Sequence, residues 1–173
     1  LSGNKYYKLK HTILHAQQEG AKRLLTFGGA FSNHIYAAAA AAHLAKMEII
    51  GCIRGEVNTP LNPTLRAASE MGMNLFPMDR STYRQKSGVE VLEMLRERFG
   101  DFYLIPEGGT NGLAIVGCQE IMDDTDQTFD SVCASVGTGG TLAGILSSAK
   151  PNQRVLGFSA LKGDFVIKEF EVL

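Results

Sequence analysis

Val136-Gly137-Thr138-Gly139-Gly140-Thr141-Leu142-Ala143-Gly144 follows the run Asp130-Ser131-Val132-Cys133-Ala134-Ser135. The earlier run reads as a buried strand, and Leu142 to Ala149 reads as a helix of small residues. A strand, a glycine turn and a helix start make an anion site. Glycines let backbone N–H groups converge, and the helix N-terminus adds partial positive charge. The loop has no Walker lysine, so a nucleoside triphosphate is not expected. The spacing of Gly137, Gly139, Gly140 and Gly144 does not match the dinucleotide fingerprint either. Taken alone, the stretch is a weak signal, and a tight turn without a ligand is the alternative reading. Its meaning depends on the rest of the chain.

A second strand–glycine loop–helix unit lies upstream. Arg23 to Phe27 reads as a strand, followed by Gly28-Gly29-Ala30-Phe31-Ser32-Asn33-His34 and a helix from Ile35 to Lys46 with six consecutive alanines, Ala37 to Ala42. Ser32 is a natural helix cap. Together, Ser32, Asn33 and His34 also offer a hydroxyl, an amide and an imidazole at a helix N-terminus, a place that suits a carboxylate. Near the start, Tyr6, Leu9, Ile13 and Ala16 recur at helical spacing, with Ser2 or Asn4 as cap and Gly20 as stop. Lys5 falls in the first turn, the wrong end of the helix dipole for a cation, which hints at use. Between these units the sequence predicts strands over 48–54, 74–77 and 102–106 and helices over 62–71 and 88–99, the last with Val91, Leu92, Leu95 and Phe99 inward. Further on, Glu107-Gly108-Gly109-Thr110-Asn111 is a polar turn, 112–123 a helix and 154–160 a strand. Lys162-Gly163-Asp164 turns, and 165–173 begins another element. Strands alternating with helices imply an α/β fold with parallel sheets covered by helices on both faces.

The bulk numbers exclude several classes. The chain has 173 residues and a net charge of −1, so no basic field points to nucleic acid or an anionic membrane. No apolar run reaches transmembrane length and no signal peptide is read, so a cytoplasmic setting is expected. Cys52, Cys118 and Cys133 have no zinc spacing and read as buried free thiols. His11 and His15 lie one turn apart without a third ligand and read as surface residues, while His43 reads as a late-helix residue near the negative end of the dipole. No metal is expected, and Asp123 to Asp126 reads as a solvated helix end.

A lysine at a helix start, a Ser-Asn-His loop and a glycine-rich anion loop have a joint reading. An amine can hold an aldehyde cofactor, an anion loop its phosphate, and the third loop a substrate carboxylate. Gly3-Asn4-Lys5 with Lys8-Leu9, Gly28-Gly29 with Ser32-Asn33-His34, Pro106-Glu107-Gly108-Gly109-Thr110 and Gly137-Thr138-Gly139-Gly140-Thr141 resemble the D-cysteine desulfhydrase and 1-aminocyclopropane-1-carboxylate deaminase family. The resemblance implies the fold-type-II, tryptophan-synthase-β-like architecture and pyridoxal 5'-phosphate as cofactor. It implies a lyase or hydrolase that releases ammonia and a 2-oxo acid from a small amino acid. It makes Lys5 the cofactor-holding lysine and proton shuttle, and puts Asn33 on the ring hydroxyl. Ser32, Asn33 and His34 fall on the carboxylate, with Ser32 near the reacting centre and Gly109 and Thr110 also on the substrate. The N–H groups of Gly137 to Thr141 fall on the phosphate. It also implies a homodimer. Residues 20–106 would be the small domain, and 1–19 with 107–173 part of the cofactor domain. One departure is Tyr7, where the family often has arginine. A second is length: family chains are about twice as long, so this one reads as truncated at both ends, with sheet edges exposed. A non-catalytic remnant that binds, or an interaction module, are the rival expectations.

Overall fold

The computed structural model describes residues 3–160. Ser2 as a cap and the expected turn and element over 162–173 lie outside the described residues. The chain divides into two compact units. The first is Ile13–Gly108; the second is made of Ser2–Thr12 and Gly109–Leu173, described over 3–12 and 109–160.

Helix α1, Asn4–Gln18, contributes residues to both. Asn4 is its first helical residue rather than its cap, and the Asn4 amide goes to Thr141 instead. The buried side chains of α1 are Lys8, Leu9, Thr12, Ile13 and Ala16. Tyr6, expected inward, is exposed, because the apolar stripe is rotated and shares its face with Lys8 and Thr12.

In the first unit, β1 (Arg23–Gly28), β2 (Glu48–Arg54), β3 (Met73–Met78) and β4 (Tyr103–Ile105) form one parallel sheet in the order β3-β2-β1-β4. Leu24 to Gly28 are all buried, as expected of a central strand covered on both faces. Connections come from α2 (Asn33–Ala45), α3 (Pro63–Glu70), α4 (Arg80–Arg84) and α5 (Val89–Phe99). The alanines of α2 give it a smooth face, and Ala38, Ala39 and Ala42 have no exposed surface. Asn62 caps α3, with Pro63 at its start. On the sheet's other face, Leu25, Phe27, Ile50, Cys52, Met78, Tyr83, Val91 and Leu95 form a core, with Phe76, Phe99, Phe102 and Leu104 packed against it.

The second unit adds α6 (Gly112–Gln119), β5 (Ser131–Val136), α7 (Gly140–Ser148) and β6 (Arg154–Ser159). β5 and β6 pair in parallel, Ser131 opposite Arg154 and Val136 opposite Ser159. Two expectations are corrected here. β5 is not buried: only Val136 is, and Ser131, Cys133 and Ser135 are exposed. Cys133 is therefore an exposed thiol, whereas Cys52 and Cys118 are buried as expected. Among the described residues this sheet has two strands and no layer on the Cys133 side. α6 stops at Gln119, and Glu120 beyond it is tied to Lys10 at 2.5 Å and to His11 at 2.6 Å. That pairing explains His11 without a metal, and no group of metal-ligating residues exists among the described ones.

Candidate active site

The lysines of α1 and the glycine loop meet within the second unit. β5 delivers the chain to Gly137, and α7 starts at Gly140 with Gly139 as cap at φ 75°. That left-handed backbone is one that glycine adopts without steric penalty. No side chain caps the first turn of α7; the Gly140 N–H donates to the Thr138 carbonyl at 2.9 Å, which leaves the N–H groups of Thr141 and Leu142 available to an anion. A cleft of about 130 Å³ lies over this loop. Asn4, Lys5 and Lys8 line one side, and Gly137, Thr138, Gly139 and Thr141 line the other. The Asn4 amide donates to the Thr141 hydroxyl at 2.9 Å, tying the start of α1 to the start of α7.

Lys8 was legible only as part of a motif, without a role. It is 1 % exposed, and its ammonium donates to the Thr110 hydroxyl at 2.6 Å and to Thr138 at 3.1 Å. Thr110 and Thr138 are themselves 2.6 Å apart. Thr110, expected at the substrate, is thus bonded to the residues over the glycine loop. Gly140 makes this possible: a Cβ there would lie 2.8 Å from the Thr110 methyl and 3.4 Å from Lys8 Cε. Burial, and then the charge of Lys5, brings the Lys8 pKa down to about 7 against an opposing pull from Cys118. Burial also lowers that of Lys5, again opposed by Cys118. Both amines are therefore more easily neutral than ordinary lysines.

The residues present fit the phosphate end of an aldehyde cofactor. A Cβ on Gly137 would meet nothing within 4 Å, so the loop presents bare backbone to open space. Uncapped N–H groups, two threonine hydroxyls and a buried ammonium surround that space, a donor set suited to a dianion. Room for roughly four waters takes a phosphate, with Lys5 at its rim.

The other loops belong to the first unit. Its strand order reverses between β1 and β4, and ligands of open α/β sheets bind beyond the carboxyl ends of strands at such a switch point. The loop after β1 carries Ser32, Asn33 and His34; the turn after β4 starts with Pro106 and Glu107. Gly28 is required at the first exit, since a Cβ there would lie 2.5 Å from Ile35. Ser32 caps α2, its oxygen accepting from the N–H of His34 at 3.2 Å and of Ile35 at 3.4 Å. Its hydroxyl hydrogen is not used in the cap. Asn33 is exposed at the first helical position. His34 is only 3 % exposed, with Nε2 at 2.7 Å from the Thr26 hydroxyl. Thr26 donates its one hydrogen to the Ile105 carbonyl at 2.9 Å, so it accepts from His34 Nε2–H. Thr26 thereby joins α2, β1 and β4 at the switch point, a role with no sequence signal. Lys5, Thr110 and the 137–141 loop are brought together in the second unit, and Ser32, Asn33 and His34 in the first.

The family model described as "Pyridoxal-phosphate dependent enzyme" matches residues 1–170. A Thermotoga maritima relative named "Putative 1-aminocyclopropane-1-carboxylate deaminase" is 32 % identical over 152 residues, 83 % of this chain and 48 % of the relative. The mitochondrial bifunctional D-cysteine desulfhydrase/1-aminocyclopropane-1-carboxylate deaminase of Arabidopsis thaliana is 28 % identical over 163 residues, 84 % of this chain and 41 % of the relative. The crystal structure of an ACC deaminase homologue superposes with a TM-score of 0.79 at 26 % identity, covering 99 % of this chain and 55 % of that one. The chain spans about half the length of the curated relatives it matches. Its architecture is the α/β, fold-type-II one of these enzymes. With that match across nearly its whole length, the chain belongs to the pyridoxal-phosphate dependent enzyme family.

Proposed function

We propose that the chain serves a pyridoxal-phosphate-dependent lyase that deaminates a small amino acid of the 1-aminocyclopropane-1-carboxylate or D-cysteine type, giving ammonia and a 2-oxo acid. The observation that carries this is Lys5 and Lys8 lining one cleft with the 137–141 loop. The relatives' names point to the same substrate class. When bound, the cofactor supplies an electron sink for charge at the substrate α-carbon. Lys5 would hold the cofactor, and its amine would move a proton at or near that carbon. Its lowered pKa favours the neutral amine this needs. Lys8, Thr138 and the N–H groups of 137–141 hold the phosphate, with Thr110 orienting Lys8.

Ser32 gives its free hydroxyl hydrogen to the substrate carboxylate while still capping α2. Asn33 supplies its amide to the ring hydroxyl and the carboxylate. His34, bonded to Thr26, fixes the loop that presents them beside that carboxylate. Gly109 and Thr110 complete the substrate side. Lyase is the class that fits, and hydrolase is dropped: water enters only after the carbon–leaving-group bond has broken. In this proposal residues 20–106 are the small domain, 1–19 and 107–173 part of the cofactor domain, and the assembled enzyme is a cytoplasmic homodimer. No helix among the described residues is long and apolar enough to cross a membrane.

The test is an absorbance spectrum of the chain titrated with pyridoxal phosphate. A visible band of lysine-bound cofactor, lost in Lys5→Ala, is the expected result. No band in the unsubstituted chain, or an undiminished band in Lys5→Ala, refutes the assignment. Ammonia release from either amino acid separates a working enzyme from a binding remnant, which shows the band alone.

A further inference from the structure

The proposed reaction leaves unused a basic pocket in the first unit. Arg54 ends β2, Arg80 and Arg84 bound α4, and Lys86 lies two residues further on. These four cations, with Tyr83 and Glu107, line a cavity of about 360 Å³. Glu107 pairs with Lys86 at 3.1 Å. Arg54, Arg80 and Arg84 make no ion pair among the described residues. Four cations around one carboxylate leave an excess of like charge facing a shared space, which a multivalent anion would relieve.

The pocket is held open by its packing. Tyr83 is 3 % exposed and lies edge-on to Phe27 with ring centres 6.0 Å apart. Arg54 sits 5.8 Å and Lys86 4.9 Å from the Tyr83 ring centre, so one buried ring positions two cations. Asp79 caps α4 by accepting from the N–H of Ser81 and Thr82, which fixes where Arg80 and Arg84 start from. A second cavity of about 750 Å³ shares Arg54 and Arg80 and continues past Asn58 to Phe31, whose ring is 76 % exposed. The carboxylates on that side, Glu56 and Asp79, favour an uncharged body there and leave the charged end to the first cavity.

We propose that this pocket binds the phosphate end of a phosphorylated small molecule, with Arg54, Arg80, Arg84 and Lys86 as its ligands and the ligand's body lying toward Phe31. Guanidinium forks match phosphate oxygens two at a time, and three of the four cations are arginines. The site is built without Lys5 or the 137–141 loop, so it stands or falls separately from the cofactor assignment.

Calorimetric titration with pyrophosphate tests it. The unsubstituted chain should show a site that survives Lys8→Met and is weakened at least tenfold in Arg80→Ala/Arg84→Ala. Both arginines are exposed, so circular dichroism and melting should be unchanged in that variant. Arg54→Gln is the second variant should the double one fail to fold, with the same tenfold loss expected. Unchanged pyrophosphate affinity in the folded arginine variants, or no binding left after Lys8→Met, overturns the proposal. Citrate binding more tightly than pyrophosphate overturns the phosphate class.

Discussion

Two lysines three positions apart on α1 reach one cleft, and burial makes both poor homes for a proton. The folded Lys8 pKa of about 7 lies below the ordinary 10.5, so between those values the unfolded chain holds more protons and stability rises with pH. Cys118 and Cys52 act the other way at higher pH, since burial raises both thiols, that of Cys52 to about 12. The rise due to Lys8 is therefore seen most cleanly from about pH 7 to about 8.5, below the range where the thiols oppose it. Without cofactor, the melting temperature should climb across that window, and Lys8→Met should flatten the climb, as scanning calorimetry at several pH values would show. Each pKa unit carries roughly 1.4 kcal/mol. Cys133 supports a different experiment. It is exposed while the other two thiols are buried, so a disulfide reagent should modify one thiol quickly in the native chain and three after denaturation. Cys133→Ser should remove the fast phase; two fast thiols would contradict the packing around Cys118.

The helices of the second unit approach one another through glycine. A Cβ on Gly144 of α7 would collide with Cys118 and the backbone of α6, and one on Gly117 of α6 with the carbonyl of Tyr7. Gly117→Ala and Gly144→Ala should each destabilise by about 1–3 kcal/mol, the usual size of overpacking, measured by urea unfolding. Gly117→Ala should also weaken cofactor binding, because Tyr7 is next to Lys8 in the chain. Elements of this kind were legible where apolar runs and caps agree. β1, β2 and α5 fall within a residue or two of their expected bounds, and Ser32 caps α2 as its position suggests. α4 was not legible: four polar residues around a single Tyr83 are too short a run for periodicity, and Asp79 alone signals the start. The burial of Lys8 was hidden because a lysine on a helix reads as solvated, although it shares a face with Leu9 and Thr12. The Thr26–His34 bond joins a strand to a helix across packed layers, a contact that no local pattern encodes. Cys133 was misread because small residues in a strand look like sheet interior, and burial depends on neighbours beyond the strand itself.

At the scale of the molecule, the two units differ in how well they cover their own sheets. The four-stranded sheet has helices and a continuous core, and its inner strand β1 is buried from Leu24 to Gly28. The pair β5–β6 leaves Phe158 at 60 % and Leu156 at 37 % exposed, beside Cys133. With a net charge of only −1, long-range repulsion between copies is weak. Strand margins that are unpaired among the described residues can recruit further strands. Copies of the chain should therefore stack in solution, and light scattering should grow steeply with concentration and age of the sample. Phe158→Lys should slow that growth without altering the cofactor band, which separates shelf life from chemistry in a single substitution.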